Sequence, residues 1–201
     1  MEITALEPRR HRLVQLFLDG EPAVKLDEET AASLRPGQQL SDEELHELIA
    51  RSDAVRAKEK ALYLLEHRPH SKRELEDKLA RTVGREAAGQ AAGRMEELGL
   101  IDDADYAHRL AEELARKGFA APRIRQELLR RGIGRELAAG EAERAAAAPE
   151  DALHSLIERR FARQLGEEKG RRRAVAALQR MGYRWEEIRS ALRAFGGEPE
   201  D

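Results

Sequence analysis

Arginines on two predicted helices are the side chains in this sequence best suited to binding chemistry. Each helix carries two apolar residues four positions apart, Ile124 with Leu128 and Ala174 with Leu178, which places the apolar residues on one face and the arginines away from it. Arginine carries a permanent, planar charge that can bind carboxylates or phosphates in a bidentate manner. The candidate partner-binding residues are therefore Arg123, Arg125, Arg130, Arg131, Arg172, Arg173 and Arg180.

An ordinary solvated surface is the alternative interpretation of both basic faces. Acidic residues that could balance the charge lie nearby at Glu167, Glu168, Glu186 and Glu187. Exposed ion pairs of this kind contribute only about 0 to 1 kcal/mol to stability. From the residues alone, a phosphate-binding face, a face for acidic protein patches and a solvated face all remain open.

Residue patterns typical of catalysis, nucleotide binding and metal binding are missing. His67 and His70 flank a proline turn without acidic or cysteine partners at metal-ligand spacing. No GxxxxGK[ST] phosphate loop occurs, and the glycines at 89 and 93 lie in an alanine-rich helical stretch rather than after a strand. Asp102 and Asp103 have no third carboxylate close in sequence. We therefore expect a binding protein without enzyme activity, cofactor or metal.

The elements that position the arginines repeat with a period of roughly 50 residues. An apolar pair four residues apart occurs at Leu75 and Leu79, and again in the two arginine-rich helices. In the second and third copies, Gly132-Ile133 and Gly182-Tyr183 follow the second apolar residue at equal spacing. A repeat of this length indicates small helical units that bury their faces against their neighbours, which favours an extended binding surface over a catalytic pocket.

Capping residues and glycine or proline breaks mark the helix boundaries. Ser71 to Glu74 forms a capping box, and the preceding helix ends before Pro69 because a residue before proline is pushed out of the α region. The last unit begins at Pro149-Glu150-Asp151, and its first helix breaks at Leu165-Gly166. The predicted helices cover residues 54–67, 71–81, 85–98, 103–117, 122–132, 135–147, 149–165, 170–181 and 184–195.

The N-terminal segment has a different character from the rest of the chain. Residues 1–53 carry six Lys and Arg against twelve Asp and Glu, a net charge of −6, whereas the remaining residues carry +3. The runs Leu13–Leu18 and Glu21–Leu26 flank an Asp-Gly turn signal and predict a β-hairpin. With the short apolar run Ile3–Leu6, they predict a small antiparallel sheet of two or three strands. A capping box at Ser41 to Glu44 predicts a short helix that ends near Arg51. We expect a separable accessory region.

The predicted fold class is mainly α, with tandem three-helix units after a small N-terminal β-hairpin region. Without cysteine, an apolar run of membrane-spanning length or a leader segment, the sequence indicates a cytoplasmic protein that does not enter a membrane. The predicted boundaries are an acidic N-terminal region at 1–53, three-helix units at 54–102, 103–148 and 149–196, and a tail at 197–201.

Three strings in a fixed order carry the most specific signal. They are Ser71-Lys72-Arg73-Glu74-Leu75, Leu98-Gly99-Leu100-Ile101-Asp102-Asp103 and Ile124-Arg125-Gln126-Glu127-Leu128-Leu129-Arg130-Arg131-Gly132-Ile133. The middle string predicts a helix end, two apolar residues in the core and an aspartate cap. Together, over about residues 56–196, they resemble the bacterial RecX family, regulators of the RecA recombinase. Thr82-Val83-Gly84 departs from the family pattern, because the small and apolar positions are exchanged.

The resemblance implies an elongated, curved array of three-helix units that lies in the groove of the RecA filament on single-stranded DNA. Such a protein would inhibit or modulate the ATPase, strand-exchange and coprotease activities of the filament. The RecA nucleoprotein filament is the expected partner, weak binding to single- or double-stranded DNA is left open, and we expect a monomer. DNA repair, homologous recombination and the SOS response are the processes that the resemblance implies.

Two other functions remain open from the sequence. A three-helix unit with a capped second helix also resembles a helix-turn-helix, so the alternative is a DNA-binding regulator. Glu127 on the candidate recognition helix and the absence of a dimerisation heptad weigh against it. A plain helical scaffold for other partners is the third interpretation.

Overall fold

The chain folds into two compact units, Met1–Asp102 and Asp103–Asp201. The structure, a computed structural model, describes residues 1–146 and 152–195. It is mostly helical with one small sheet, which confirms the predicted fold class. The predicted start of the last unit at residues 149–151 and the predicted tail at 197–201 lie outside the described residues.

A three-stranded antiparallel sheet forms the N-terminus. Its strands are β1 (Ile3–Arg9), β2 (Leu13–Leu18) and β3 (Glu21–Asp27), in the order β1-β2-β3. Asp19 and Gly20 both have positive φ, 50° and 89°, which is the two-residue hairpin turn that an Asp-Gly pair favours. The predicted hairpin is confirmed, and of the two or three strands that the sequence predicted, the sheet has three. Apolar residues of the sheet, of the two following helices and of the segment between those helices form one core cluster: Ile3, Leu16, Leu18, Leu26, Ala31, Leu34, Leu40 and Leu48.

One long helix replaces the two helices predicted for residues 41–67. After a short helix α1 (Glu28–Ala31), which Asp27 caps, α2 runs without interruption over Asp42–His67. The predicted break near Arg51 is wrong, because residues 51–54 contain no glycine or proline and Ser52 is buried against the sheet, where its hydroxyl accepts a 2.8 Å hydrogen bond from the Asp27 amide. The boundary predicted after Asp53 therefore falls inside α2.

The remaining helices of the first unit are α3 (Lys72–Leu79) and α4 (Arg85–Glu97), close to their predicted ranges. They pack with the second half of α2 around a shared core that includes the buried Leu75 and Leu79. Ser71 caps α3 by accepting a bond from the Glu74 amide. Only one of the two apolar residues expected in the core after Gly99 is buried: Ile101 is buried, whereas the turn leaves Leu100 about half exposed.

The second compact unit contains two successive three-helix groups. The first is α5 (Asp103–Arg116), α6 (Ala121–Arg130) and α7 (Arg135–Ala146). The second is α8 (Ala152–Phe161) with a following 3₁₀ turn, α9 (Glu168–Arg180) and α10 (Trp185–Arg193). Each group has its own core cluster, and Phe119 packs against both clusters.

The helices α6 and α9 end in the same glycine turn. Gly132 and Gly182 have φ of 82° and 97°, the left-handed conformation that closes a helix. In each case the amide of the residue after the glycine donates a hydrogen bond to the carbonyl of the buried leucine in the helix. The Ile133 amide donates to Leu128 at 3.1 Å, and the Tyr183 amide donates to Leu178 at 3.2 Å. The equal glycine spacing in the sequence is therefore a structural repeat.

Candidate partner-binding surface

The middle helix of each three-helix group is anchored by two buried residues four positions apart. In α3, α6 and α9 these anchors are fully buried, with 0% of their surface exposed: Leu75 and Leu79, Ile124 and Leu128, Ala174 and Leu178. Residues four apart lie on one side of a helix, so the anchors fix which way the rest of each helix points. Superposing the anchors makes positions in the three helices directly comparable.

Two arginine positions are equivalent in α6 and α9. Arg123 and Arg173 each precede the first anchor by one residue, and Arg130 and Arg180 each follow the second anchor by two. All four residues are exposed. The structure therefore presents the same pair of arginines, on the same register of the middle helix, twice in the second compact unit.

Local polar contacts hold the arginines of α6 in different ways. Arg123 donates a hydrogen bond of 2.7 Å to the side-chain oxygen of Gln126. Arg130 pairs with Glu127 through both its Nε, at 3.0 Å, and its terminal nitrogen, at 2.5 Å. Arg131 is half-buried, contacts Glu127 at 3.3 Å and donates to the Tyr106 hydroxyl at 3.2 Å. Arg131 therefore joins α6 to α5 as well as carrying charge.

Glu127 is the acidic centre of this group. Its side chain is 14% exposed, and hydrogen bonds from Arg130 lower its pKa below the ordinary value, with a smaller contribution from Arg131 and with burial acting in the opposite direction. The carboxylate therefore stays charged at neutral pH and compensates part of the positive charge on α6. A partner that is to use Arg130 fully must compete with this intramolecular pair.

The arginines of α9 are less compensated. Arg172 pairs with Glu168 one turn earlier on the same helix. Arg173 and Arg180 form no ion pair or hydrogen bond with any of the described residues. Among the described residues, the charges of the arginine pair on α9 are therefore not compensated by a carboxylate. On α6, Glu127 compensates the charge of Arg130.

Arg125 lies apart from the other candidates. It is exposed on α6 and lines a cleft in the second compact unit together with Arg116, Arg159 and Arg184. The sequence prediction missed these three arginines, because they belong to different parts of the fold and share no spacing with Arg125. Only the packing of the helices brings them to one cleft.

The described part of the chain contains no cluster of metal-ligating side chains and no helix able to cross a membrane. No group of three His, Asp or Glu side chains within residues 1–146 and 152–195 is arranged to hold a metal ion. Over the same residues, no helix combines the length and apolar character needed to span a bilayer.

Two family models match successive segments of the chain. The model described as the first three-helix domain of RecX matches residues 57–92, and the model of the second three-helix domain of RecX matches residues 102–140. The first segment covers the second part of α2, all of α3 and more than half of α4, and the second covers most of α5–α7. The strings that carried the resemblance in the sequence lie within or beside them.

Individual proteins show the same likeness. Regulatory protein RecX of Stenotrophomonas maltophilia is 33% identical over 145 residues, which cover 71% of this chain and 87% of that protein. Regulatory protein RecX of Caldanaerobacter subterraneus is 30% identical over 61% of this chain, and the match spans 64% of that relative, slightly less than two thirds. A crystal structure of regulatory protein RecX has the same fold, with a TM-score of 0.60, 17% identity, and coverage of 97% of this chain and 98% of that one.

Proposed function

The chain belongs to the RecX family of regulatory proteins, and from this premise we propose that it binds the RecA filament on single-stranded DNA and restrains its activity. The arginine pair repeated on α6 and α9 is the observation that carries the proposal. Arg123 with Arg130, and Arg173 with Arg180, form the contact points for acidic groups on successive protomers of the filament. Of the remaining candidate arginines, Arg131 and Arg172 flank these contact points, whereas Arg125 lies apart from them in the cleft.

A repeated contact suits a partner that is itself a repeating polymer. Once one arginine pair is engaged, engagement of the second is intramolecular, so two weak contacts give a much tighter complex than either alone. A single exposed ion pair contributes only about 0.2 to 1 kcal/mol. Tight binding to the filament therefore depends on both arginine pairs, on α6 and on α9, being engaged at once.

The proposed consequence of binding is regulation without a reaction of the protein's own. By bridging protomers the protein would hinder the conformational changes that accompany ATP turnover, and would slow ATP hydrolysis, strand exchange and repressor cleavage by the filament. It would act as a monomer in the cytoplasm, during homologous recombination and the SOS response. It needs neither cofactor nor metal for this role.

The proposal is tested by measuring ATP hydrolysis by the cognate RecA on single-stranded DNA, with the purified protein added at increasing ratios. We expect hydrolysis and strand exchange to slow at amounts of protein below those of RecA. If a stoichiometric excess leaves both rates unchanged, the proposed function is wrong. Binding to random short duplexes, followed in parallel, reports on the alternative DNA-binding regulator, which would bind them without RecA.

Charge reversal at the arginine pairs locates the contact. Arg173→Glu with Arg180→Glu, and separately Arg123→Glu with Arg130→Glu, should each weaken filament binding by about tenfold or more, because two charged contacts of about 1 kcal/mol are lost and replaced by repulsion. The α9 double variant should show the larger loss, since Arg173 and Arg180 have no intramolecular ion pair among the described residues.

The matched control for these variants is Arg135→Glu with Arg160→Glu, which makes the same change in net charge at exposed positions of α7 and α8. It should retain nearly normal filament binding, and all three variants should keep the wild-type melting temperature. Normal binding by both arginine-pair variants would place the contact surface on another face of the protein.

A further inference from the structure

A basic cleft in the second compact unit is not explained by the proposed contact with the filament. Its volume is about 950 Å³, near the upper end of the roughly 300 to 1,000 Å³ that ligand-binding clefts span. Four arginines from four elements line it: Arg116 of α5, Arg125 of α6, Arg159 of α8 and Arg184, which immediately precedes α10. The cleft therefore concentrates positive charge that the sequence distributes over about 70 residues.

The four arginines have no carboxylate partner among the described residues. Arg116 and Arg159 donate to backbone carbonyls one turn earlier on their own helices, at 3.4 Å and 3.1 Å. None of the four guanidinium groups forms a salt bridge within the described residues. In the same compact unit, five other arginines do pair with carboxylates: Arg109, Arg130, Arg131, Arg144 and Arg172. The cleft therefore holds four guanidinium groups that are not paired with carboxylates, in excess of the two carboxylates, Glu143 and Glu187, that also line it.

The walls between the arginines are apolar and made of small side chains. Ala121, Ala142 and Ala191 line the cleft together with Leu153 and Pro122. Such walls accept methyl or short aliphatic groups from a ligand, and desolvating that surface adds to affinity. The cleft is therefore suited to a ligand that alternates negative charge with small apolar groups.

Two further features favour a peptide over a nucleic acid. Glu143 and Glu187 also line the cleft, so a phosphodiester chain, with a negative charge on every unit, would meet repulsion there. The aromatic residues of the lining, Phe119 and Tyr183, are half-buried and pack into the core clusters instead of offering an open platform for base stacking. A peptide can place uncharged residues opposite the two glutamates.

We propose that this cleft binds an acidic segment of a partner protein, with carboxylates of the segment paired to Arg116, Arg125, Arg159 and Arg184 and its small apolar side chains against the alanine walls. Bidentate pairing with carboxylates is the geometry for which arginine is best suited. This inference goes beyond the proposed function, because ATPase restraint through the arginine pairs of α6 and α9 requires no cleft.

The test uses the full-length protein and a fluorescent octapeptide of alternating glutamate and alanine, with binding followed by fluorescence anisotropy at low and moderate salt. The wild-type protein should bind it, with affinity that falls as salt rises. Arg125→Gln with Arg159→Gln should weaken binding by about tenfold, since two charged contacts are lost. The control Arg135→Gln with Arg160→Gln has the same net charge but lies outside the cleft, and it should bind like wild type.

Two results would overturn the assignment. Equal peptide affinity for the cleft variant and its control would show that the peptide binds elsewhere. Tighter binding of a labelled oligothymidylate that is lost in the cleft variant, with no binding of the peptide, would assign the cleft to nucleic acid. Because the assay contains neither RecA nor ATP, its failure and a failure of the proposed function can be told apart.

Discussion

At the scale of single residues, Leu128 and Leu129 show how strongly the helix face decides the role of a side chain. Leu128 is completely buried in the core cluster of α5–α7, whereas Leu129 is 38% exposed on the neighbouring face of α6. The two residues are chemically identical and adjacent. Their substitution therefore isolates the effect of burial from that of residue type.

We expect Leu128→Ala to lower the free energy of unfolding by about 2 to 5 kcal/mol, because it removes buried methyl groups and leaves a cavity. Leu129→Ala should change it by no more than about 0.5 kcal/mol, since it removes only partly buried surface from an exposed helix position. Urea denaturation followed by circular dichroism measures both values. Similar losses for the two variants would mean that α6 does not pack as described.

At the scale of secondary-structure elements, the turn after α9 is a point of close packing between the two helix groups of the second unit. Gly182 has a left-handed φ of 97°, and a Cβ placed on it would lie 2.7 Å from the Cβ of Arg123 at the start of α6. Beside it, the Ala120 amide donates a 2.9 Å hydrogen bond to the Met181 carbonyl. Glycine at this position is therefore required both by the turn and by the neighbouring helix.

Gly99 provides the matched comparison, because it closes α4 with the same type of turn, has a φ of 69°, and would give a Cβ open space. Gly99→Ala should cost about 1 to 2 kcal/mol from backbone strain alone. Gly182→Ala should cost about 1 to 3 kcal/mol more, because the added methyl group displaces the start of α6. Thermal melts of the two variants compare these costs, and equal melting temperatures would exclude the close approach.

The position of Gly182 also connects stability with the proposed contact surface. Arg123, whose backbone the turn touches, belongs to the α6 arginine pair. A shift at this turn would therefore move one arginine pair relative to the other. Gly182→Ala should accordingly weaken filament binding even where the protein remains folded.

At the scale of the whole molecule, the connection between the sheet and the first three-helix unit is the continuous helix α2. Asp53 lies in the middle of this helix, where its carboxylate accepts a 2.9 Å bond from the Gly84 amide at the start of α4 and pairs with Arg56 at 3.1 Å. Arg56 in turn donates to the Thr82 carbonyl at 3.0 Å. The first half of α2 thus supports the loop between α3 and α4.

The separability of residues 1–53 stays a prediction, and α2 sets where the cut should be made. A chain that starts at Ser41 keeps the capping box and Asp53, whereas a chain that starts at Ala54 loses both, together with three turns of α2. The chain that starts at Ala54 should be less stable by about 1 to 2 kcal/mol or more. The reason is that the Gly84 amide at the start of α4 loses the Asp53 carboxylate as its hydrogen-bond acceptor. Circular dichroism melts compare the two chains, and equal melting temperatures would support a functional boundary after Asp53.

The sequence by itself determined the elements and their repetition. The sequence predicted helix capping at Ser41 and Ser71 and the Asp-Gly turn at Asp19. Each of these features depends only on residues that are close together in the sequence. The anchors of α3, α6 and α9 followed from helical periodicity in the same way. The exposed positions of Arg123, Arg173 and Arg180 then followed from the anchors.

Only the tertiary structure decided what lies between the elements. The continuity of α2 depends on packing of Ser52 against Asp27, which is 25 residues away. The cleft depends on the packing of five helices, α5, α6, α7, α8 and α10, so no local pattern predicts that Arg116, Arg159 and Arg184 join Arg125. Short-range signals fix backbone conformation, whereas the convergence of charge on a surface depends on contacts between residues far apart in the chain, which no periodicity records.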